Sequence, residues 1–369
     1  MSGRSGAVVH HYCKTFFPIR GGIEVVVDTI CRLLGPVRKN VVVSAAKGSD
    51  RERCRLSVAY VDADVRLVKS YGTLFSLPIA PGVFKLALSS FRQADTVCVH
   101  YPFPLIDLAV ALFGPFIKSR LVVYWHSNIY SQRFTKYIVL PFTYLMLRKA
   151  DKIVVATPPM LEFSGLLKRF HNKVVVLPYG LHRAPVQEYF VGVTSASQYF
   201  VAIGRHVSYK GFDVLLNAVA ICRVRVIIIG DGPLFDAHHQ LIEMLGIESL
   251  VTFIKDADEK RKNEMLQAAR ALVLPSVYPS EAFALVQLEA MRYGKPIINT
   301  RLNSGVPWVA RDGVEAVTVE PGSALELAAA MNRLAIDDSL CGRLGSAGRR
   351  RIANVFNQGD FRRGLENIV

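Results

Sequence analysis

The chain has 369 residues, 51% of them hydrophobic and 20% charged. That composition is globular and excludes a disordered protein, and the length allows two or three domains whose cores need no disulfide or metal. Six cysteines are scattered without C-x-x-C or other ligand spacing, which reads as reduced thiols rather than a zinc site or a disulfide framework.

The formal net charge of +15 is unevenly spread: residues 1–190 hold 25 Lys/Arg against 11 Asp/Glu, and residues 191–369 hold 20 against 19. The basic first half suggests an anionic partner, nucleic acid or an acidic bilayer, with a merely solubilising surface as the plainer reading. The amino-terminal residues lack the apolar core of a signal peptide. The longest apolar stretch, 96–117, is broken by His100, three prolines and Asp107, so it reads as strand–loop–helix rather than a membrane span. The expected location is cytoplasmic, at most peripheral on the inner face of the cytoplasmic membrane.

In chain order, Val/Ile-rich runs alternate with helical stretches. Residues 7–12, 40–45, 96–100, 121–125, 152–156 and 173–177 read as strands of a parallel sheet buried on both faces. Helices are expected over 23–34, 134–149 and 159–169. The alternation then restarts, with strands over 199–203, 224–229, 250–254, 271–274 and 296–299, and a final helical region from about 337. The expected fold class is therefore α/β, two doubly wound Rossmann-like domains whose strand ends face a central cleft. The small, polar stretch 191–198 places the break. The expected boundaries are 1–190 for a first domain, 191–345 for a second, and 346–369 for a helical segment packing back toward the first.

In FVAIGRHVSYKGFDVLLNAV, a strand runs through a loop into a helix and brings Arg205 and Lys210 to the mouth of the sheet. Two cations beside a helix start suit a diphosphate; two solvated surface cations is the plainer reading. In VYPSEAFALVQLEAM, Glu281 and Glu289 stand eight residues apart, a little over two helical turns, so both could line one helix face. Ser280 reads as the cap, with the amides of Phe283, Ala284 and Leu285 free for phosphate or sugar hydroxyls and Glu289 suited to a ribose diol. An amphipathic helix with two chance glutamates explains the same letters.

Arg205 with Lys210, GDGP at 230–233 and the E-x7-E of Glu281 and Glu289 together resemble the group 1 retaining glycosyltransferases of family 4. The resemblance implies a GT-B fold, a nucleotide-sugar donor held mainly by the second domain, and no cofactor or divalent metal. It assigns Arg205 and Lys210 to the donor diphosphate, Glu289 to its ribose and Glu281 to the transferred sugar. Asn303, Ser304 and Gly305 fall in a loop that closes the donor pocket in relatives. In the first half, Gly21 and Gly22 open a helix directly after a strand, as in the family's first loop, with Arg20 beside them. His126 ends the strand LVVYWH, where relatives place a histidine against the donor sugar. Candidate catalytic residues are thus His126, Glu281, Arg205 and Lys210.

Asp62-Ala-Asp64 and Asp256-Ala-Asp258 mimic a metal-binding D-x-D but lie away from any such site in the family. Arg133, Lys136, Arg148, Lys149 and Lys152 flank YIVLPFTYLML, which reads either as an interfacial helix on anionic lipid or as a core helix kinked at Pro141. No G-x-G-x-x-G follows a strand and no nucleic-acid motif appears, which leaves a transferase, with a nucleotide-sugar 2-epimerase of the same fold as the alternative. The SGVPWV loop resembles that of transferases in surface polysaccharide assembly, and the resemblance implies transfer of mannose or a deoxyhexose from a GDP-linked donor, or else a UDP-linked one. The acceptor is a saccharide or a polyprenyl-diphosphate-linked sugar in surface polysaccharide assembly.

Overall fold

The computed structural model describes residues 6–16, 21–46, 63–74, 77–128, 135–180 and 199–369. The chain divides into two compact units, Met1–His182 with Gln358–Val369, and Arg183–Asn357. Arg20, Asp62, Arg133 and the predicted break at 191–198 lie outside the described residues.

The first unit carries β1 (Val8–Cys13), β2 (Lys39–Ala46), β3 (Asp64–Lys69), β4 (Thr73–Leu74), β5 (Leu77–Pro78), β6 (Thr96–Tyr101), β7 (Arg120–Trp125), β8 (Lys152–Val155) and β9 (Val174–Val176). All but β4 and β5, which pair as a small hairpin, form one parallel sheet in the order β3-β2-β1-β6-β7-β8-β9. The order reverses direction between β1 and β6, which makes that pair the topological switch point. Among the described residues the connections include α1 (Gly22–Leu34), α2 (Gly82–Gln93), α3 (Pro104–Phe113), α4 (Thr135–Lys149) and the short α5 (Pro158–Glu162). The helix expected over 159–169 is thus only five residues long. A 3-10 segment, Leu167–Lys173, follows it. β3 went unread because DVRLVK is an exposed edge strand, where charges replace the apolar run of a central strand.

The second unit repeats the plan with β10 (Phe200–Ile203), β11 (Val226–Ile229), β12 (Val251–Ile254), β13 (Leu272–Val273), β14 (Ile297–Thr300) and β15 (Ala316–Val319), all parallel, in the order β12-β11-β10-β13-β14-β15. Its helices are α6 (Phe212–Cys222), α7 (Phe235–Leu245), α8 (Glu259–Ala268), α9 (Leu285–Arg292), α10 (Val306–Val309), α11 (Ala324–Ile336) and α12 (Asp338–Val355). One face of the sheet is closed by a core in which Leu215 and Leu216 of α6 meet Met331 and Leu334 of α11. Each such fully buried side chain contributes about 1.5–3 kcal/mol. The switch point here lies between β10 and β13.

The segment 346–369 is not one piece. α12 runs unbroken through residue 345, and its glycines let it lie directly on the end of α9: a Cβ at Gly345 would overlap the Gly294 carbonyl, and one at Gly348 would press on Met291. The last helix, α13 (Gln358–Ile368), belongs to the first unit. There Phe361 meets Tyr179 edge-on and Arg38 donates to the Val369 carbonyl.

Candidate functional site

In the second unit the loops that follow β10 and β13 meet across the switch point. The chain leaves β10 at Gly204, exposes Arg205, turns through the 3-10 segment Ser208–Lys210 and enters α6 at Gly211. Gly211 has φ +66°, and a Cβ there would overlap the Pro275 carbonyl. Only glycine satisfies both demands. The two loops are tied by the Val277 amide, which donates to the Tyr209 carbonyl at 2.9 Å. GDGP packs on the same loop. Gly230, at φ +142°, leaves no room for a Cβ beside the Gly204 carbonyl, and a Cβ at Gly232 would come within 2.7 Å of the His206 backbone. The motif's glycines are therefore explained by two chain turns in direct contact.

This packing carries Lys210 to Glu281. Its Nζ stands 2.5 Å from Glu281 Oε2, with side chains only 12% and 10% exposed. The Ser276 hydroxyl donates to the same oxygen at 3.2 Å, and Ser276 is held in turn by Thr300, whose hydroxyl donates to its carbonyl. Burial alone would lower the Lys210 pKa, but the Glu281 carboxylate and Tyr209 outweigh it and raise it, so the ammonium is kept charged. The lysine stem lies over Gly204.

Glu281 is not on a helix. α9 begins at Leu285; Ala284 is its N-cap in the left-handed region at φ +58°, and Ser280 caps nothing. The expected helix from Ser280 is corrected accordingly: Glu281 closes a turn onto the Tyr278 carbonyl, and Phe283 and Ala284 lead into the helix. Of the three amides singled out, Leu285 alone sits in the first turn, where amides have no intrahelical partner. The turn is locked from the other side. The Gly305 amide donates to the Ala282 carbonyl, Gln287 donates to the Phe283 and Val306 carbonyls, and Asn299 donates to Gln287 and Ala310. Ser304 and Gly305 thus shape this loop, whereas Asn303 makes no comparable bond among the described contacts.

Glu289, on the second turn of α9, is 8% exposed and pairs with Lys262 of α8 at 3.0 Å. Lys262 is shared with Glu259 at 3.1 Å. Sequence reasoning missed Lys262, because in EKRKNE it looks like one cation of a solvated run. Asp258 of the second D-x-D string accepts from the Arg261 amide and caps α8.

In the first unit, Gly21 is the N-cap of α1 in extended conformation. A Cβ there would come within 2.6 Å of Glu24 Oε2, so this glycine makes room for Glu24, which accepts from Thr15. Gly22 faces open space. His126 directly follows β7, and its amide donates to the Tyr101 carbonyl. Its ring is 7% exposed, and both nitrogens have partners: Nε2 lies 2.9 Å from His100 Nδ1, and Nδ1 lies 2.7 Å from the Tyr179 hydroxyl. Burial lowers its pKa to about 3.

Two doubly wound sheets, with a buried lysine–glutamate pair and an exposed arginine at the switch point of one, define an α/β protein with charged residues where such sheets place their ligand sites. Residues 191–351 match the family Glycosyl transferases group 1, and residues 20–184 match Glycosyltransferase Family 4. The chain is 31% identical over 359 residues to O-antigen chain mannosyltransferase C of Escherichia coli, covering 94% of each. It is 29% identical over 344 residues to D-rhamnosyltransferase WbpZ of Pseudomonas aeruginosa, covering 88% of this chain and 86% of that one. The chain belongs to the group 1 glycosyltransferases. Its fold is GT-B: HepE of Anabaena, solved with UDP and glucose, superposes with a TM-score of 0.79 at 19% identity over 98% of both chains. Sucrose-phosphate synthase of Thermosynechococcus elongatus gives 0.78 at 18%, again over 98% of both.

Proposed function

We propose that this glycosyltransferase moves mannose or a deoxyhexose from a GDP-linked donor to a saccharide or polyprenyl-diphosphate-linked acceptor in surface polysaccharide assembly. The observation that carries the reading is the Lys210–Glu281 pair beside Arg205 at the switch point. The two full-length relatives named for mannosyl and D-rhamnosyl transfer support the choice of sugar.

Breaking the sugar–phosphate bond leaves an oxocarbenium-like sugar and a diphosphate of growing negative charge. Arg205 and Lys210 meet that charge with cations, Lys210 held in place by Glu281 before reaction, and the first-turn amides of α9 add to them. No divalent metal is then required to neutralise the leaving group. Glu281, anchored by Lys210 and Ser276, orients the sugar and stabilises its positive charge rather than attacking it. The departing phosphate takes the acceptor's proton on the same face, which retains the anomeric configuration. Glu289, braced by Lys262, accepts from the ribose diol. The same reading assigns Gly21 and Gly22 to donor binding and makes His126 a neutral residue that moves no proton.

Peripheral contact with anionic lipid belongs to the same proposal. Among the described residues no helix is long and apolar enough to cross a membrane. α4 nevertheless turns Tyr137, Ile138, Leu140 and Leu145 outward while Met146 and Leu147 are buried, and it ends in Arg148 and Lys149. An apolar face ending in cations suits an acidic interface.

Thermal shift against GDP, UDP and ADP, then GDP-mannose and UDP-glucose, with and without magnesium, tests the reading. Stabilisation by GDP and GDP-mannose, unchanged by EDTA, is the expected result. Selective stabilisation by UDP overturns the donor base, and no response to any nucleotide overturns the site.

A further inference from the structure

The imidazole of His126 ends a buried polar chain that crosses one face of the first sheet. His126 Nε2 meets His100 Nδ1 at 2.9 Å, His100 Nε2 meets His11 Nδ1 at 3.1 Å, and His11 Nε2 meets Asn40 Oδ1 at 3.4 Å. Asn40 is anchored by its own amide, which donates to the Cys31 carbonyl at 3.0 Å. The register explains the path. Asn40 pairs with Val9, His11 with Cys98 and His100 with Tyr124, so all four side chains share one face. The chain climbs from the second residue of β2, across the switch point, to just beyond β7.

The proton positions follow from one end. Reversing the Asn40 amide would set two carbonyl oxygens against each other at Cys31, so its oxygen faces His11. His11 Nε2 must therefore carry the hydrogen. The ring is fully buried and burial lowers its pKa to about 4, so it is neutral and its Nδ1 can only accept. His100 must then donate from Nε2 and accept at Nδ1; it too is buried, and its pKa is lowered by burial and by the adjacent His126 and His11. By the same step His126 donates from Nε2, and the Tyr179 hydroxyl donates into His126 Nδ1. Each bond leaves its neighbour a single choice.

We propose that Asn40, His11 and His100 are positioning residues that fix His126 as a neutral Nε2–H tautomer in one ring orientation, with both nitrogens committed. This rests on the transferase reading only in giving His126 a place beside the reaction. The tautomer chain stands on the first unit alone. Its chemical consequence is that the strand-end histidine is a rigid dipolar wall and neither a base nor an acid, which leaves proton transfer to the phosphate.

The full chain labelled with ¹⁵N-histidine provides the test, with two-bond proton–nitrogen correlations read at pH 7 and assigned by single substitution among its nine histidines. The wild-type spectrum is expected to show His11, His100 and His126 all as Nε2–H tautomers. His11→Asn keeps an oxygen near the place of Nδ1 and should preserve the pattern in His100 and His126. His11→Leu removes the acceptor and should split or reverse it. In transfer assays His11→Leu should lower kcat by about one to two orders of magnitude with little change in KM, and His11→Asn should recover most of it. An Nδ1–H or doubly protonated His126 in the wild type overturns the inference whatever the activity. So does a His126 tautomer that ignores the loss of the His11 acceptor. Absence of transfer with an intact tautomer pattern would refute the donor assignment instead and leave the chain standing.

Discussion

Replacing Lys210 by Met tests the second unit's site at its most buried point. Among the described contacts, Glu281 would keep only the Ser276 hydroxyl at 3.2 Å, in a side chain about one-tenth exposed. Breaking a buried ion pair from one side costs about 3–5 kcal/mol, chiefly because the remaining charge is left uncompensated. For a unit of this size that corresponds to a melting-point drop of roughly 6–20 °C. Glu281→Gln strands the ammonium and should cost a similar amount. The double variant Lys210→Met/Glu281→Gln removes both charges, so its loss should fall short of the sum by about 2–3 kcal/mol. Trp308 stacks edge-on against Phe356 within this unit, and Arg351 lies over its ring. Urea unfolding followed by Trp308 fluorescence, in a Trp125→Phe background, therefore isolates the unit. Additive losses, with a coupling below about 0.5 kcal/mol, would show that the pair does not stand in the free protein.

Lys262→Met should weaken nucleoside diphosphate binding by about tenfold, or 1.4 kcal/mol, by releasing Glu289; unchanged calorimetric affinity would remove Lys262 from the site. Gly211→Ala combines a left-handed backbone with overlap onto Pro275, so soluble yield should collapse, whereas Gly246→Ala, at φ +60° with open space around it, should cost only about 1 kcal/mol in urea melts. Equal effects at the two positions would refute the close approach. Stability of the first unit should fall on acidification. His11 and His126 titrate near 6.5 when unfolded but only at about 4 and about 3 when folded, so the unfolded chain binds more protons below pH 6.5. The loss begins there and continues to about pH 4 for His11 and about pH 3 for His126, at up to about 1.4 kcal/mol per pH unit for each histidine. Trp125 fluorescence melts at pH 7, 6 and 5 would show it, and a flat profile would contradict the buried neutral rings.

The strands and the family motifs could be read from sequence because each is a local pattern. Valine-rich runs announce a sheet covered on both faces, and Arg205, Lys210, Glu281 and Glu289 announce themselves by spacing. What could not be read depends on chain segments far apart. The start of α9 at Leu285 is set by loops from β10 and β14 that hold residues 277–282 in a turn, so the letters PSEAF, good for a capped helix, are overruled. Lys262 precedes Glu289 by 27 positions, and nothing in EKRK distinguishes the one cation turned inward. His11, His100 and Asn40 become neighbours only through the strand order β2-β1-β6-β7. Each alone is an ordinary buried polar residue.

The histidine chain is also an electrical object. Four hydrogen bonds, from Tyr179 through three imidazoles to Asn40, all point their protons the same way, away from the end of β7. In surroundings of low polarizability their dipoles add, and each bond polarises the next. The edge of the sheet beyond β7 therefore carries the negative pole of a dipole assembled entirely from neutral groups.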